Sequence, residues 1–182
     1  MLALALAAMA VDEALVPEDR GPFLYRERRI SRGREFELLK LRTLRRDVLE
    51  RLGPDDYVRL AEADPENLTR AGRLLKRWYL DELPQLVNVL RGDMSLVGPR
   101  PWPPVMVRHQ VAEGLDYRNH VQAGWTGPAQ VAKGTEGVSN AELDLGYVNA
   151  CRTWSARRLV RYDFGVLTKT VSVLLRGQGL RF

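Results

Sequence analysis

The chain has 182 residues, of which 45% are hydrophobic and 28% are charged. This length and composition predict one folded domain with its own core and exclude an intrinsically disordered protein. The net charge of +5 and the pI near 9.6 favour an anionic partner, such as a phosphate ligand, a lipid surface or a nucleic acid. Because Cys151 is the single cysteine, an intrachain disulfide is excluded, and we expect a small core residue there.

The chain begins with a continuous apolar run, Met1–Val11, which Asp12 and Glu13 follow. The run is shorter than the roughly 20 apolar residues that a helix needs to cross a bilayer. It also lacks the basic start of a signal peptide. Taken alone, the run therefore predicts an apolar N-terminal helix that is buried in the protein.

A basic segment comes next, and within it residues 23–30 and 35–42 alternate like two β-strands. The turn at 31–34 contains glycine, which predicts a β-hairpin. Lys40 and Arg42 fall on one face of the second strand, where they could bind phosphate or anionic lipid. A nucleic-acid interface would need interleaved aromatic residues or a recognition helix, and the segment has neither. We therefore expect no nucleic-acid partner.

Two helical segments are predicted before the most informative stretch of the chain. Residues 47–63 are polar and helix-prone around a Gly-Pro pair, which indicates surface structure. After them, Asn67 or Thr69 is suited to cap a helix that runs through Leu75.

Residues 81–91 have the pattern of a short helix. Pro84 is tolerated in a first turn, and Gly92 suits the left-handed position that follows a helix. An apolar stripe at helical spacing is predicted to face the core, formed by Leu83, Leu86, Val87 and Leu90. The opposite, polar face carries Asp81, Gln85 and Asn88.

Asp81 and Glu82 are adjacent carboxylates at the start of this predicted helix. The helix dipole favours their ionised forms, so we expect Asp81 to be available as a nucleophile or a ligand. A divalent cation would relieve their mutual repulsion, and Mg²⁺ suits one or two carboxylates together with substrate phosphates. Simple capping of the helix by the two carboxylates is the alternative that the pattern leaves open.

Arg100 lies between Pro99 and Pro101, which restrict the backbone and present the guanidinium at small entropic cost. Arginine binds phosphate oxygens with two parallel hydrogen bonds. Because it follows a carboxylate pair, it indicates a site that holds phosphoryl oxygens and attacks phosphorus. Beyond it, residues 121–130 form a glycine-rich loop able to bring backbone N–H groups close to a ligand.

The last predicted helix spans residues 155–176, with Ser155 as its N-cap and Gly177 just after its end. Its apolar face is expected to pack in the core. The basic residues beside that face leave a position in the membrane interface as the alternative.

The stretch from Leu80 to Pro101 resembles the signature of the bacterial sugar transferases, the monotopic phosphoglycosyl transferases. Further segments resemble the family in the same order: Gly21–Arg26, Lys40–Leu44, Leu68–Arg73, Val121–Val131, and Trp154-Ser155 with Asp163 and Thr168. The sequence departs from the family at several positions: Lys76 replaces a usual Arg, Tyr79 a usual Ser, Ala123 a usual Pro, and Ala132-Lys133-Gly134 a usual Gly-Arg.

The resemblance implies an α+β fold, a mainly helical single domain of residues 1–182 with a small β-hairpin. Family members enter the membrane by a re-entrant helix, and Met1–Val11 resembles the returning half of it, without the entering half. Residues 1–17 would then dip into the membrane. Residues 18–182 would form the catalytic part, on the cytoplasmic face of the bacterial inner (plasma) membrane.

The resemblance also implies an activity, the transfer of a sugar 1-phosphate from a UDP-sugar to polyprenyl (undecaprenyl) phosphate. UMP would leave, and a covalent aspartyl-phosphosugar would form, in the first step of exopolysaccharide, capsule, O-antigen or glycoprotein glycan assembly. The partners would be the UDP-sugar, the polyprenyl phosphate and the lipid surface, with a homodimer left open. A catalytically impaired basic module at the membrane surface is the alternative function.

The family's functional residues correspond to particular positions of this sequence. Asp81 and Glu82 would be catalytic, with Glu82 holding Mg²⁺. The substrate-binding residues would be Lys40, Arg42, Arg100, Pro101, Gln130 and Lys133.

Overall fold

A computed structural model describes residues 1–53, 58–132 and 139–175. Over these residues the fold is α+β, with helices and two two-stranded sheets. The chain divides into two compact units, which we describe separately. Unit 1 contains Met1–Arg26, Leu39–Gln85 and residues 174–175, and unit 2 contains Glu27–Leu38 and Leu86–Val173. The assignment of residues 1–182 to one domain stays a prediction.

The helices are α1 (Leu2–Leu15), α2 (Arg46–Arg51), α3 (Val58–Ala61), α4 (Arg70–Arg77), α5 (Gln85–Arg91), α6 (Pro104–Ala112), α7 (Pro128–Val131), α8 (Asn140–Thr153) and α9 (Ala156–Leu175). The strands are β1 (Leu24–Ser31), β2 (Arg34–Leu41), β3 (Ser95–Val97) and β4 (Gly124–Thr126).

In unit 1, α1 packs against α4. Met9 of α1 lies in a core cluster with Ala71 and Leu75 of α4. The buried carboxylate of Asp12 accepts a hydrogen bond of 3.0 Å from the backbone N–H of Ala71. Thr69 accepts a second hydrogen bond at the start of α4, from the next N–H along, and its predicted role as N-cap is confirmed.

The opposite face of α1 is apolar and exposed, since Leu4, Val11 and Leu15 are each more than half accessible to solvent. The predicted N-terminal helix is therefore present, with one face packed and one face uncovered. Within the described part of the chain, none of the helices combines the length and apolar character that crossing a membrane requires. The re-entrant arrangement of α1 stays a prediction.

The predicted β-hairpin is confirmed by β1 and β2. Arg32 and Gly33 connect the strands with φ angles of 49° and 71°. Two successive left-handed residues are typical of the two-residue turns that match the twist of a hairpin. The tip of the hairpin belongs to unit 2, and the outer ends of its strands belong to unit 1.

In unit 2, the parallel strands β3 and β4 bring two loops into direct backbone contact. A Cβ added to Gly124 would lie 2.0 Å from the Gly98 nitrogen, and one added to Gly127 would lie 2.1 Å from the Gly98 oxygen. Glycine is therefore required at both positions. The contact holds the segment that leads into Arg100 against the glycine-rich loop.

The prediction that the apolar stripe of α5 faces the core is wrong. Leu86 and Val87 are 37% and 40% exposed, and Leu90 is 88% exposed. On the polar face, Asn88 is fully buried, and its Nδ2 donates to the Glu37 carbonyl (2.8 Å) and to the Asp93 carboxylate (2.9 Å). Since a buried amide needs such partners, these hydrogen bonds fix the polar face inward.

The helix also starts later than the sequence indicates. A 3₁₀ turn spans Leu80–Glu82, and α5 begins only at Gln85. Its end agrees with the prediction, because Gly92 follows Arg91 with φ of 80°.

The predicted C-terminal helix is confirmed by α9, which packs one face in a core cluster. Leu159, Val166 and Leu167 pack in a cluster with Val97 and Tyr147. Other apolar residues of the helix, among them Val160, Phe164 and Val171, are more than half exposed. Cys151 is exposed, so its predicted place in the core is wrong. The predicted last turn, at Arg176 and Gly177, lies outside the described residues.

Candidate active site

The two adjacent carboxylates lie in unit 1, in the 3₁₀ turn that precedes α5. Tyr79 leads into the turn in the left-handed conformation, with φ of 54°. This conformation is uncommon and strained for a residue other than glycine, and such strain is often found at functional sites. Asp81 is 2% exposed and Glu82 is 8% exposed, so both side chains are turned into the protein. The accessible nucleophile expected from the sequence is therefore covered.

Lys76, at the end of α4, lies between two buried carboxylates. Its Nζ is 2.7 Å from Glu62 Oε2 and 3.4 Å from Asp81 Oδ2. Thr43 donates a hydrogen bond of 3.2 Å to the other oxygen of Glu62. The three charged side chains thus form a row, in which one ammonium group is shared by two anions.

Burial raises the pKa of Asp81, and the nearby negative charges of Glu82 and Glu62 act in the same direction. Lys76 and Lys40 oppose this shift without cancelling it. The predicted lowering of this pKa by a helix dipole is therefore wrong in direction. Desolvation is the stronger influence here, because the carboxyl group is deeply buried and α5 has not yet begun.

Glu62 responds in the opposite way to the same surroundings. Burial acts to raise its pKa, but the positive charges of Lys40 and Lys76 and the hydrogen bonds from Lys76 and Thr43 bring the pKa below its ordinary value. Glu62 is thus held as a carboxylate beside a carboxyl group that burial disfavours as an anion.

Three carboxyl groups (Glu62, Asp81 and Glu82) and two ammonium groups (Lys40 and Lys76) lie close enough for their charges to act on Asp81. No group of three potential metal ligands occurs within residues 1–53, 58–132 and 139–175. Mg²⁺ does not need such a cage when substrate phosphates complete its coordination, so one or two of these carboxylates fit it.

Arg42 is buried in unit 1, and its guanidinium is surrounded by hydrogen-bond acceptors of the same unit. Its nitrogens donate to the carbonyl oxygens of Pro22 (3.1 Å), Leu44 (3.2 Å) and Asp19 (2.7 Å). One of them also lies 2.6 Å from the Glu13 carboxylate. These contacts tie the segment after α1 to the end of the hairpin. Phosphate binding by Arg42 stays a prediction.

In unit 2, Arg100 is half-buried and Pro101 is buried. The buried guanidinium of Arg118 donates to the Arg100 carbonyl oxygen and stacks on the ring of Trp102, with the guanidinium carbon 4.0 Å from the ring centroid. The backbone of the Pro-Arg-Pro segment is thus held from inside the unit.

The family model described as "Bacterial sugar transferase" matches residues 1–177. The chain belongs to the bacterial sugar transferase family.

Two named relatives are 40% and 34% identical to the chain over the aligned residues. It is 40% identical to "UDP-glucose:undecaprenyl-phosphate glucose-1-phosphate transferase" of Caulobacter vibrioides, over 94% of this chain and 62% of the relative. It is 34% identical to "Undecaprenyl-phosphate galactose phosphotransferase" of Salmonella typhimurium, over 90% of this chain and 36% of the relative. The chain thus spans less than two thirds of the length of these relatives.

The structure places the remaining substrate-binding candidates of this bacterial sugar transferase as follows. Lys40 is buried in unit 1, where its charge acts on Asp81 and Glu62. Gln130 is in unit 2, at α7, and both polar atoms of its amide are buried without a hydrogen-bond partner among the described residues. Lys133 lies outside the described residues. The roles of all three stay predictions.

Sequence reasoning missed two residues, Glu62 and Arg118. Glu62 follows α3 in a segment that has the composition of surface structure, and no local pattern connects it with Lys76. Arg118 lies in a short 3₁₀ turn, and its link to Arg100 depends on the tertiary fold. The sequence held one indication of the Glu62 contact, because Lys76 stands where the family usually has Arg. A change of cation at that position suggests that the acidic partner of the cation differs as well.

Proposed function

We propose that this bacterial sugar transferase moves a sugar 1-phosphate from a UDP-sugar to a polyprenyl phosphate and releases UMP. The observation that carries the proposal is the buried row of Glu62, Lys76 and Asp81, in which an ammonium group lies against the acid of the motif that resembles the family signature. The names of the relatives, which specify undecaprenyl phosphate and glucose or galactose, support this choice of substrates.

In the first step, an oxygen of Asp81 attacks the β-phosphorus of the UDP-sugar. The bond from this phosphorus to the bridging oxygen breaks, and UMP leaves with that oxygen and its electron pair. An aspartyl-phosphosugar remains, so one difficult transfer is divided into two steps. For this attack the Lys76–Asp81 contact must open, and Lys76 can then bind an oxygen of the incoming phosphate while Glu62 still contacts it.

In the second step, a phosphate oxygen of the polyprenyl phosphate attacks the same phosphorus. The Asp81 carboxylate leaves, and the product is a polyprenyl-diphosphate sugar. This product would begin the assembly of an exopolysaccharide, capsule, O-antigen or glycoprotein glycan.

Glu82 would hold Mg²⁺, and Asp81 lies next to it in the same turn. When bound, Mg²⁺ supplies positive charge that stabilises the diphosphate as negative charge moves to the leaving group. Lys40 and Arg42 would add positive charge on the side of the phosphates. Arg100 and Pro101 would bind the nucleotide end, with Gln130 and Lys133 as further contacts to the donor.

We also propose that the protein acts at the cytoplasmic face of the inner (plasma) membrane, where a polyprenyl phosphate resides. Each unit exposes apolar side chains that a lipid surface would cover, Leu4 and Leu15 on α1 in unit 1 and Leu90 on α5 in unit 2. The net charge of +5 would add attraction to anionic lipid headgroups.

A second candidate is a catalytically impaired, basic membrane-surface module. The burial of Asp81 favours it, because a nucleophile that stays covered cannot reach phosphorus. This candidate predicts vesicle binding without turnover, even when Mg²⁺ is present.

The deciding experiment mixes the full chain with Mg²⁺ and a UDP-sugar labelled at the β-phosphate, with no polyprenyl phosphate present. UDP-glucose and UDP-galactose are both offered, following the relatives' names. The proposal expects label on the wild-type protein and none on Asp81→Asn, with Asp47→Asn as a surface control. Label that persists on Asp81→Asn overturns covalent catalysis by this residue. An unlabelled wild-type protein that still binds vesicles supports the impaired module.

A further inference from the structure

Arg118 is a buried arginine of unit 2 whose contacts converge on the Pro-Arg-Pro segment. Its Nη1 donates to the carbonyl oxygen of Arg100, and its flat face covers the ring of Trp102. It lies in the 3₁₀ turn Tyr117–Asn119 and is 6% exposed. The side chain therefore supports the segment from beneath, away from solvent.

The rest of the Arg118 guanidinium is held equally firmly. Nη2 donates to Asp144 Oδ2 at 2.8 Å and to the Tyr117 hydroxyl at 2.9 Å, and Nε donates to Gln110 Oε1 at 3.0 Å. These partners come from α6, α8 and the 3₁₀ turn. With three fixed anchors behind it, the guanidinium has little freedom to turn away from Arg100.

Stability alone is a weak explanation for the buried Arg118–Asp144 pair, because burying the two charges costs free energy. Burial lowers the pKa of Arg118 and raises the pKa of Asp144, so desolvation opposes both charges. Buried ion pairs often contribute little net stability because desolvation offsets their attraction. The Arg118–Asp144 pair has a second effect, because it fixes the guanidinium that holds the backbone of Arg100.

The Pro-Arg-Pro segment needs that support. Pro99 and Pro101 have no N–H to donate, so the segment has few backbone donors with which to fix itself. The Pro99 carbonyl is held by the Gly124 N–H at 2.9 Å, and the Trp102 carbonyl by the Ile30 N–H at 2.9 Å. Between them, the Arg100 carbonyl is held by Arg118.

We propose that Arg118 is a positioning residue, which fixes the backbone of Arg100 and thereby sets the affinity of the protein for a nucleoside diphosphate. The inference rests on the proposed function, in which Arg100 binds the nucleotide end of the donor. Arg118 does not touch the ligand, and its effect reaches the ligand through Arg100 alone.

The test is a double-mutant cycle with UDP as the probe, measured by calorimetry on the full chain at fixed Mg²⁺. Arg118→Lys keeps the charge but loses the flat, forked guanidinium. In the wild-type background it should weaken UDP binding by about tenfold, because displaced positioning groups cost activity or affinity on that scale. In the Arg100→Ala background it should change the affinity by about twofold at most, since no positioned side chain remains.

Two further variants control for folding. Arg108→Lys makes the same change at an exposed arginine of α6 and should leave the UDP affinity unchanged. Trp102→Leu removes the ring on which Arg118 stacks and leaves all charges in place. If Arg118→Lys fails to fold, Trp102→Leu replaces it in the double-mutant cycle with Arg100→Ala. In steady-state assays, Arg118→Lys should raise KM for the UDP-sugar more than it lowers kcat.

Equal losses of UDP affinity in the two backgrounds would overturn the inference and assign Arg118 a general structural role. An unchanged affinity in Arg118→Lys would overturn it as well. If Arg100→Ala itself binds UDP like the wild type, the proposed role of Arg100 fails and this inference fails with it. The labelling of Asp81 would still decide the chemistry separately.

Discussion

Lys76 and Asp81 form a buried contact of 3.4 Å between Nζ and Oδ2, and this contact covers the carboxylate that we propose as the nucleophile. Glu62 lies on the other side of Lys76, at 2.7 Å. Because of Glu62, Lys76 can leave Asp81 without becoming an unpaired buried charge, which would be costly. The arrangement therefore permits Asp81 to be covered in the free protein and uncovered when a phosphate takes its place beside Lys76.

We expect Asp81→Asn to raise the thermal unfolding midpoint at neutral pH while it abolishes UMP release. Burial raises the pKa of Asp81, so the folded state binds the proton more tightly than the unfolded state does. The contribution of Asp81 to stability therefore falls as pH rises above the ordinary value of 3.8. Asparagine carries no charge, so the gain in midpoint should grow over that pH range.

The measurement is thermal unfolding of wild type and variant at several pH values, with Asp47→Asn as the control. Asp47 is exposed and pairs with Arg51 at the surface, so its replacement should give no gain. A lower midpoint for Asp81→Asn at neutral pH would show that the Lys76–Asp81 contact contributes more stability than the burial of the Asp81 charge costs.

We expect Glu62→Gln to destabilise the protein by about 2 kcal/mol at neutral pH, because it removes the closer anion of a buried ammonium group. The pKa of Glu62 is below its ordinary value, so its contribution is present above pH 4.5 and is lost as pH falls through the lowered pKa. The difference between wild type and variant should therefore shrink in acid.

Denaturant unfolding at neutral and acidic pH measures this difference. Glu66→Gln provides the matched control, since Glu66 is exposed and near in the chain, and we expect a change within about 0.5 kcal/mol. A Glu62→Gln protein as stable as the control would show that the Lys76–Glu62 contact is not maintained in solution.

The two possible roles of Arg42 can be separated with its partner Glu13. We expect Glu13→Gln to lower the unfolding midpoint, because it removes the ion pair between Glu13 and Arg42. The UDP affinity should stay unchanged, because Glu13 has no proposed contact with the nucleotide. Arg42→Lys should lower the midpoint as well, since lysine cannot make all the hydrogen bonds of the guanidinium. If Arg42→Lys alone also weakens UDP binding, Arg42 has the predicted phosphate-binding role in addition to its structural one.

Several local features were predictable because residues close in sequence determine them. The Gly-containing turn predicted the hairpin, and Gly92 predicted the end of α5. Asn67 or Thr69 was predicted to cap α4, and Thr69 is the residue that does so. The motif around Asp81 predicted the family. Each of these signals acts within a few residues of the structure that it specifies.

The orientation of α5 was not predictable from its own pattern. Helical spacing identifies an apolar stripe and a polar face, but it does not tell whether core or another surface covers the stripe. Here the answer lies with Asn88, whose hydrogen bonds go to Glu37 in the hairpin and to Asp93. The contacts of Glu62 and Arg118 were missed for the same reason, since their partners are distant in the chain.

The exposed stripe of α5 gives the final prediction. We expect Leu90→Ser to weaken binding to vesicles by about tenfold. Leu90 is 88% exposed in the free protein, and the variant lacks the apolar surface that this side chain would bury in lipid. The measurement is cosedimentation with vesicles of phosphatidylglycerol and phosphatidylethanolamine. Leu60→Ser is the matched control, since Leu60 on α3 is 72% exposed and is not part of the stripe. Equal losses for the two variants would show that general surface hydrophobicity, and not the stripe, determines binding. An unchanged affinity for Leu90→Ser would remove α5 from the proposed membrane contact.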